Sequence, residues 1–170
     1  MVTWFGFILI LLASVLAGFG HPFAAGWVVL LSGFFDIIDG ALARKTNQVT
    51  RFGGVLDSSL DRISEAAILI GIMSYFIFYS QSSLALWIAL IIGVAMIFSF
   101  MVSYVRARAE GVGLDCQVGI FTRAERVIIL ALGLLLSSIP LVLFVVIIII
   151  TILSIVTFIQ RLLYVYQQSK

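Results

Sequence analysis

Four aspartates between residues 36 and 61 have types and spacings that could do chemistry together. Asp36 and Asp39 are three residues apart, and Asp57 and Asp61 are four residues apart. Residues at either spacing share one face of a helix. The connector between the two segments is short, so we expect antiparallel neighbouring helices with converging carboxylates. Because like charges repel, a cation must gather them, and oxygen ligands suit Mg²⁺, Mn²⁺ or Ca²⁺.

Small and basic residues lie around these acids. Gly40, Ala43 and Gly53 fall within about one helical turn of the aspartates, which leaves room for a bulky ligand to approach the backbone. Arg44 at the edge of the connector can bind phosphate oxygens, and Thr50 adds a hydroxyl. Acids, cations and a surface of small residues together indicate metal-assisted phosphoryl transfer at a membrane interface.

The elements that must position these residues are membrane helices. Of 170 residues, 63% are hydrophobic and only 11% are charged. This leaves too little polar surface for a water-soluble enzyme or a disordered chain. The net charge of +2 is too small to indicate nucleic-acid binding. The one cysteine, Cys116, excludes an intrachain disulfide and a multi-cysteine zinc site.

Six apolar stretches predict an all-α integral membrane protein with six transmembrane helices. Their approximate bounds are 2–19, 23–43, 54–79, 84–104, 127–136 and 140–166. A long polar connector is expected at 106–123, with a loop at 110–119. The connectors 20–22, 79–83 and 137–140 contain no charged residue, and every Lys and Arg flanks the other connectors or the C-terminus. The positive-inside tendency therefore predicts that both termini and the acidic site face the cytoplasm of a cell membrane.

The segment from Asp36 to Asp61 resembles the signature of the CDP-alcohol phosphatidyltransferases. That signature is D-x-x-D-G-x-x-A-R-x8-G-x3-D-x3-D, and no position departs from it. The resemblance implies one family domain over residues 1–170 and a homodimer with a polar cavity open to the cytoplasm. Family members usually carry an interfacial helix ahead of the first span. This chain starts at the span, so either its start is truncated or that helix is absent.

The resemblance also implies a role for each motif residue. The four aspartates would hold two Mg²⁺ or Mn²⁺ ions around the pyrophosphate of a CDP-linked lipid, and Asp61 would also be the general base for the acceptor hydroxyl. The pocket for the CDP-lipid would be lined by Asp39, Gly40, Ala43, Arg44, Thr50, Gly53 and Asp57.

Basic residues later in the chain bear on the acceptor. The runs Ser103–Glu110 and Arg123–Arg126 are similar to the branch of the family that uses inositol 1-phosphate. By that resemblance the inositol phosphate would be bound by Arg106, Arg123, Arg126 and Arg161. Positive-inside anchoring is the other interpretation of these arginines.

The leading hypothesis is therefore a transferase that joins a CDP-activated lipid to inositol 1-phosphate and releases CMP. An alternative is a phosphatidylglycerol-phosphate synthase that uses glycerol 3-phosphate. A cation transporter is a remote alternative, because the acids stop in the cytoplasmic half and no second copy of the motif is present. No motif in the chain distinguishes an ester-linked from an ether-linked lipid donor.

Overall fold

The fold is all-helical, in agreement with the sequence. A computed structural model describes residues 2–45, 50–80, 83–139 and 141–169, with side chains for these ranges except 2–3, 37–45 and 51. This part of the chain contains no β-strand and six helices. They are α1 (Val2–Gly18), α2 (Pro22–Lys45), α3 (Arg51–Phe78), α4 (Ala85–Gly111), α5 (Arg123–Leu135) and α6 (Val142–Gln168).

The helices differ in length and in how well they match a bilayer. Among the described helices, α4 and α6 are long and apolar enough to cross a membrane, whereas Trp4–Gly18 and Pro22–Asp36 are shorter apolar stretches. Helix α5 has 13 residues. Its length is therefore about 20 Å, against a hydrocarbon layer of about 30 Å. The expectation of six separate spans stays a prediction.

Helix α4 extends well beyond its expected end near Tyr104. It continues to Gly111, so the first residues of the expected polar connector are helical, and the prediction of a connector from 106 and a loop from 110 was wrong there. Alanines 107 and 109 favour helix. Arg106 and Glu110, four residues apart, also pair across this extension at 2.8 Å. A charged end can therefore continue an apolar helix out of the membrane layer.

Helix α5 begins four residues before the expected Val127. Thr122 is its N-cap residue, and the Glu125 side chain accepts a 2.8 Å hydrogen bond from the Thr122 amide in a capping box. The expectation ended the connector at Arg123 and began the helix after Arg126, whereas the cap places both arginines in the first turn of α5. Both arginine side chains therefore project from helical backbone, which fixes the positions of their Cα atoms.

In the described part of the chain each helix packs on two others. Helix α1 packs on both α2 and α3, α2 packs on α5, α3 on α4, α4 on α6, and α5 on α6. Within the same ranges helices α2 and α3 do not pack closely on each other, so the expectation that these two are neighbours was wrong. The interior contains fully buried apolar side chains such as Leu69, Ile92 and Ile147. Large apolar side chains are also exposed on all six helices, including Phe34 and Ile97, which are more than half exposed. Such extensive exposed apolar surface is typical of a protein that contacts membrane lipid.

The contact between α1 and α3 is unusually close. A Cβ atom at Gly71 would lie 2.3 Å from the Ser14 carbonyl oxygen, so no side chain fits at this position. The Ser14 hydroxyl donates to the Ala67 carbonyl across the same contact at 2.5 Å. Small residues allow this approach of two helix backbones.

We expect Gly71→Ala to lower the free energy of unfolding by about 1–3 kcal/mol, because the added methyl forces α1 away from α3. The measurement is the thermal unfolding midpoint in detergent, which should fall. Gly93→Ala is the matched control, since a Cβ at this helical glycine meets nothing within 4 Å. The control should unfold at or slightly above the wild-type temperature, because alanine favours helix. Equal midpoints for the two variants would contradict the close contact.

Candidate active site

A cavity of about 1000 Å³ lies among the ends of α2 to α6 at which the charged residues gather. Its charged lining consists of Asp36, Asp61, Arg62, Arg106, Glu110, Arg123 and Arg161. Its apolar lining includes Val29, Leu30, Phe34, Val127 and Ile128. A cavity with one charged region and one apolar wall fits a ligand that has a charged head and an apolar tail.

Arg123 connects the two helices that carry the acidic motif. Its Nη1 atom lies 2.6 Å from Asp61 Oδ2 of α3, and its Nη2 atom lies 3.6 Å from Asp36 Oδ2 of α2. All three side chains are about one quarter to two fifths exposed, so they can reach a ligand in the cavity. The structure thus brings together one predicted acceptor-binding arginine and two predicted metal ligands.

The other two aspartates of the motif are described less completely. Asp57 lies one turn before Asp61 on α3 and is exposed, and the negative charges of Asp57 and Asp36 both act on the Asp61 carboxylate. The backbone of Asp39 is helical, but its side chain lies outside the described residues. Among the described side chains, no group of three or more His, Cys, Asp or Glu residues could hold a metal ion. The four-aspartate site therefore stays a prediction.

The donor chemistry nevertheless suits a hard divalent cation. Asp36 and Asp61 already face one cationic group, the Arg123 guanidinium, from two different helices. Carboxylate oxygens are the ligands that Mg²⁺ and Mn²⁺ prefer. The residues present thus fit a divalent ion in their chemical type.

Most of the predicted CDP pocket lies at the end of α2 and the start of α3. The side chains of Asp39, Ala43 and Arg44 and the surroundings of Gly40 are outside the described residues. Thr50 is the N-cap of α3, and its Oγ1 atom accepts a 2.9 Å hydrogen bond from the Gly53 amide. The Thr50 hydroxyl therefore orients the first turn of α3 and keeps its proton available for a ligand.

Arg126 differs from the other predicted acceptor-binding arginines in its surroundings. It does not line the large cavity, and it is 2% exposed. Its Nε atom donates to Glu65 Oε1 at 2.6 Å, and its Nη2 atom donates to Glu65 Oε2 at 3.1 Å. Glu65 was not among the predicted site residues. Its position four residues after Asp61, on the same face of α3, is the sequence signal that would have found it.

Arg161 lines the cavity but also holds the loop between α4 and α5. Its Nε atom donates to the Val118 carbonyl at 2.8 Å, and its Nη1 atom donates to the Val102 carbonyl at 2.5 Å. Two further side chains of α6 bind the same loop, because Gln160 accepts from the Ile120 amide and Gln168 donates to the Asp115 carbonyl. Helix α6 thus fixes both the loop and the direction of the Arg161 guanidinium.

Cys116 lies in the same loop, under a small cluster that includes Val105 and Phe158. Burial raises the pKa of its thiol. A buried thiol with a raised pKa is a poor nucleophile.

Gly119 is a position in this loop where a larger residue does not fit. Its φ is +133°, and a Cβ atom there would lie 2.8 Å from Thr157 Cγ2 and 3.2 Å from Arg161 Nε. L-residues rarely adopt this backbone conformation. A side chain at residue 119 would therefore strain the loop and displace the Arg161 side chain.

We expect Gly119→Ala to lower the free energy of unfolding by about 1–3 kcal/mol, measured by thermal unfolding in detergent. Gly111→Ala is the control, because that glycine is helical and its Cβ would meet nothing within 4 Å. A Gly119→Ala protein that unfolds at the wild-type temperature would refute the tight packing of the loop on α6.

Comparison with known proteins connects this arrangement to a family. The model of the CDP-alcohol phosphatidyltransferase family matches residues 1–165. The archaetidylinositol phosphate synthase of Methanothermobacter thermautotrophicus is 40% identical over an alignment that covers 99% of this chain and 83% of that protein. The phosphatidylinositol phosphate synthase of Cutibacterium acnes is 40% identical over 76% of this chain and 61% of that protein.

Solved structures show the same fold. A crystal structure of Mycobacterium tuberculosis phosphatidylinositol phosphate synthase with CDP-DAG bound has a TM-score of 0.88 and 33% identity, and the match covers 97% of this chain and 84% of that one. A second structure of that enzyme, in complex with manganese and citrate, also has a TM-score of 0.88 and 33% identity and covers 97% of this chain and 80% of that one.

Proposed function

This chain belongs to the CDP-alcohol phosphatidyltransferase family, and from that premise we propose that it transfers a phosphatidyl or archaetidyl group from a CDP-activated lipid to inositol 1-phosphate. The acceptor hydroxyl oxygen forms a bond to the lipid-side phosphorus, and the bond from this phosphorus to the bridging oxygen breaks. CMP leaves with that oxygen, and the acceptor proton passes to an enzyme carboxylate.

One observation carries the proposal: the Asp36 and Asp61 carboxylates and the Arg123 guanidinium meet in a cavity that Arg106 and Arg161 also line. Carboxylates suit the CDP-lipid, because they can hold the metal ions that its pyrophosphate requires. Free guanidinium donors suit the phosphate of the acceptor. The 40% identity to an archaetidylinositol phosphate synthase and the similarity to a structure with CDP-DAG support the same pair of substrates.

Each group of the site has a part in the reaction. Asp36, Asp39, Asp57 and Asp61 would hold two Mg²⁺ or Mn²⁺ ions, which supply charge neutralisation for the pyrophosphate when they are bound. The manganese complex of a related synthase supports the use of such an ion. Asp61 accepts the proton of the attacking hydroxyl. The CDP group contacts the small residues of the motif and the first turn of α3.

The acceptor phosphate is bound by three arginines that line the cavity. Arg106, Arg123 and Arg161 come from α4, α5 and α6, so an anion between them is held from three directions. The apolar wall of the cavity accommodates the start of the lipid chains. This orientation brings the acceptor hydroxyl towards Asp61.

We further infer that the whole chain is one membrane domain with all six helices crossing the bilayer, both termini and the cavity on the cytoplasmic side, and two copies in a homodimer. The absence of charged residues from the connectors 20–22, 79–83 and 137–140 supports this orientation. The exposed apolar side chains on all six helices support the contact with lipid.

The direct test is CMP release from purified protein in nanodiscs, supplied with CDP-diacylglycerol or CDP-archaeol. We expect release that requires both inositol 1-phosphate and a divalent ion, that EDTA abolishes, and that Mg²⁺ or Mn²⁺ restores. Glycerol 3-phosphate in place of inositol 1-phosphate is the matched control.

The same experiment separates the alternatives. A preference for glycerol 3-phosphate would establish the phosphatidylglycerol-phosphate synthase activity in place of the inositol activity. Cation flux in reconstituted vesicles without any CDP-lipid, together with no CMP release, would favour a transporter.

Replacement of the proposed base gives a second prediction. Asp61→Asn removes the proton acceptor and one oxygen ligand at nearly constant volume, so we expect the rate of CMP release to fall by about 10²–10⁴-fold. Asp115→Asn makes the same chemical change in the exposed loop after α4, outside the cavity lining, and should leave the rate unchanged. An Asp61→Asn protein with the wild-type rate would refute the assignment.

A further inference from the structure

Two ion pairs connect α3 and α5 side by side. Asp61 and Glu65 are four residues apart on α3, and Arg123 and Arg126 are three residues apart on α5. Arg123 pairs with Asp61 at 2.6 Å, and Arg126 pairs with Glu65 at 2.6 Å. Among the described residues α5 packs its backbone on α2 and α6, so these two side-chain pairs carry its alignment on α3.

The two pairs differ in environment. The Arg123–Asp61 pair faces the large cavity and is partly exposed. The Arg126–Glu65 pair is almost fully buried, with side-chain exposures of 2% and 7%. Its two parallel N–H···O bonds fix the relative orientation of guanidinium and carboxylate. The first pair is open to a ligand in the cavity, whereas the second is shielded from it by burial.

The buried pair also reaches the loop that precedes α5. Arg126 Nη1 lies 3.4 Å from the Phe121 carbonyl oxygen, to which it donates. With Nε and Nη2 bound to Glu65, each nitrogen of this guanidinium has a protein partner. A small internal cavity of about 30 Å³ borders Asp36, Glu65, Arg123 and Arg126, so the two pairs are direct neighbours in space.

We propose that Glu65 is a positioning residue: it holds Arg126, sets the first turn of α5 against α3, and thereby delivers Arg123 to the acceptor side of the cavity. Arg126 then acts through α5 and does not touch the acceptor phosphate. The inference rests on the proposed function and adds to it a residue outside the aspartate motif.

The alternative is that Arg126 binds the acceptor phosphate directly. It predicts the opposite change in the KM for inositol 1-phosphate when Glu65 is replaced by Gln. If Glu65 only withheld Arg126 from the phosphate, Glu65→Gln would free the guanidinium and lower the KM for inositol 1-phosphate. If Glu65 positions α5, the same change misplaces Arg123 and raises that KM. A buried arginine without its carboxylate partner must shift, because an unpaired buried charge is strongly unfavourable.

The experiment measures KM and kcat of Glu65→Gln in the CMP-release assay, varying inositol 1-phosphate and CDP-lipid in turn. We expect the KM for inositol 1-phosphate to rise about tenfold or more, as displacements of about 1 Å can cost still larger factors. The KM for the CDP-lipid should stay near the wild-type value. A purely structural role would reduce the amount of active enzyme and leave both KM values unchanged.

Two companion variants complete the test. Glu65→Asp keeps the charge and shortens the side chain by one methylene, so it should fold and restore part of the acceptor affinity lost in Glu65→Gln. Should the Gln variant not fold, Glu65→Asp alone decides the question, with an expected KM for inositol 1-phosphate clearly above wild type. Asp115→Asn, an exposed carboxylate-to-amide change, should match the wild type in every parameter.

Two outcomes overturn the inference without affecting the proposed function: a wild-type or lowered KM for inositol 1-phosphate in Glu65→Gln, or, where only the Asp variant folds, a wild-type KM in Glu65→Asp. Wild-type protein that releases no CMP with inositol 1-phosphate would overturn the proposed function itself and the inference with it. The wild-type measurement therefore distinguishes the two failures.

Discussion

The site depends on keeping charged side chains together at the end of an apolar helical protein. Neither carboxylates nor guanidinium groups are stable in an apolar environment unless they are paired. Here the pairing extends across helices: Arg123 joins α5 to α2 and α3, and Arg126 joins α5 to α3 a turn further in. The ion pairs therefore add links from α5 to α3, while the backbone of this shortest described helix packs on α2 and α6.

The acidic residues of the site were predicted from spacing along the chain. Of the four predicted aspartates, Asp36 and Asp61 line the cavity, and three of the four predicted arginines do so as well. Asp36 and Asp61 could be assigned to two helices of one site because the spacing of the four aspartates matches the helical repeat, and apolar run lengths predict the helices. Both predictions use information that is local along the chain. Asp36 and Asp61 both pair with one cation, Arg123. The backbone of Asp39 is helical, and its side chain lies outside the described residues.

The basic half depends on tertiary partners that the sequence does not specify. Composition alone could not show that Arg126 would form a buried ion pair with Glu65, which lies 61 residues earlier in the chain. Nor could it show that Arg161 would bind two backbone carbonyls of other elements. The two errors of boundary, at the end of α4 and at the start of α5, have a common origin. Charged residues were taken as connector, whereas an i,i+4 pair and a capping box make them helical.

The attachment of the α4–α5 loop to Gln160, Arg161 and Gln168 also has a consequence for biosynthesis. These partners lie roughly 40 to 55 positions after the loop residues that they bind, so they are synthesised later than the loop. The loop cannot adopt its final shape while translation is still in progress through α6. The Arg161 side of the cavity can consequently be completed only after α6 has been synthesised and has packed on this loop.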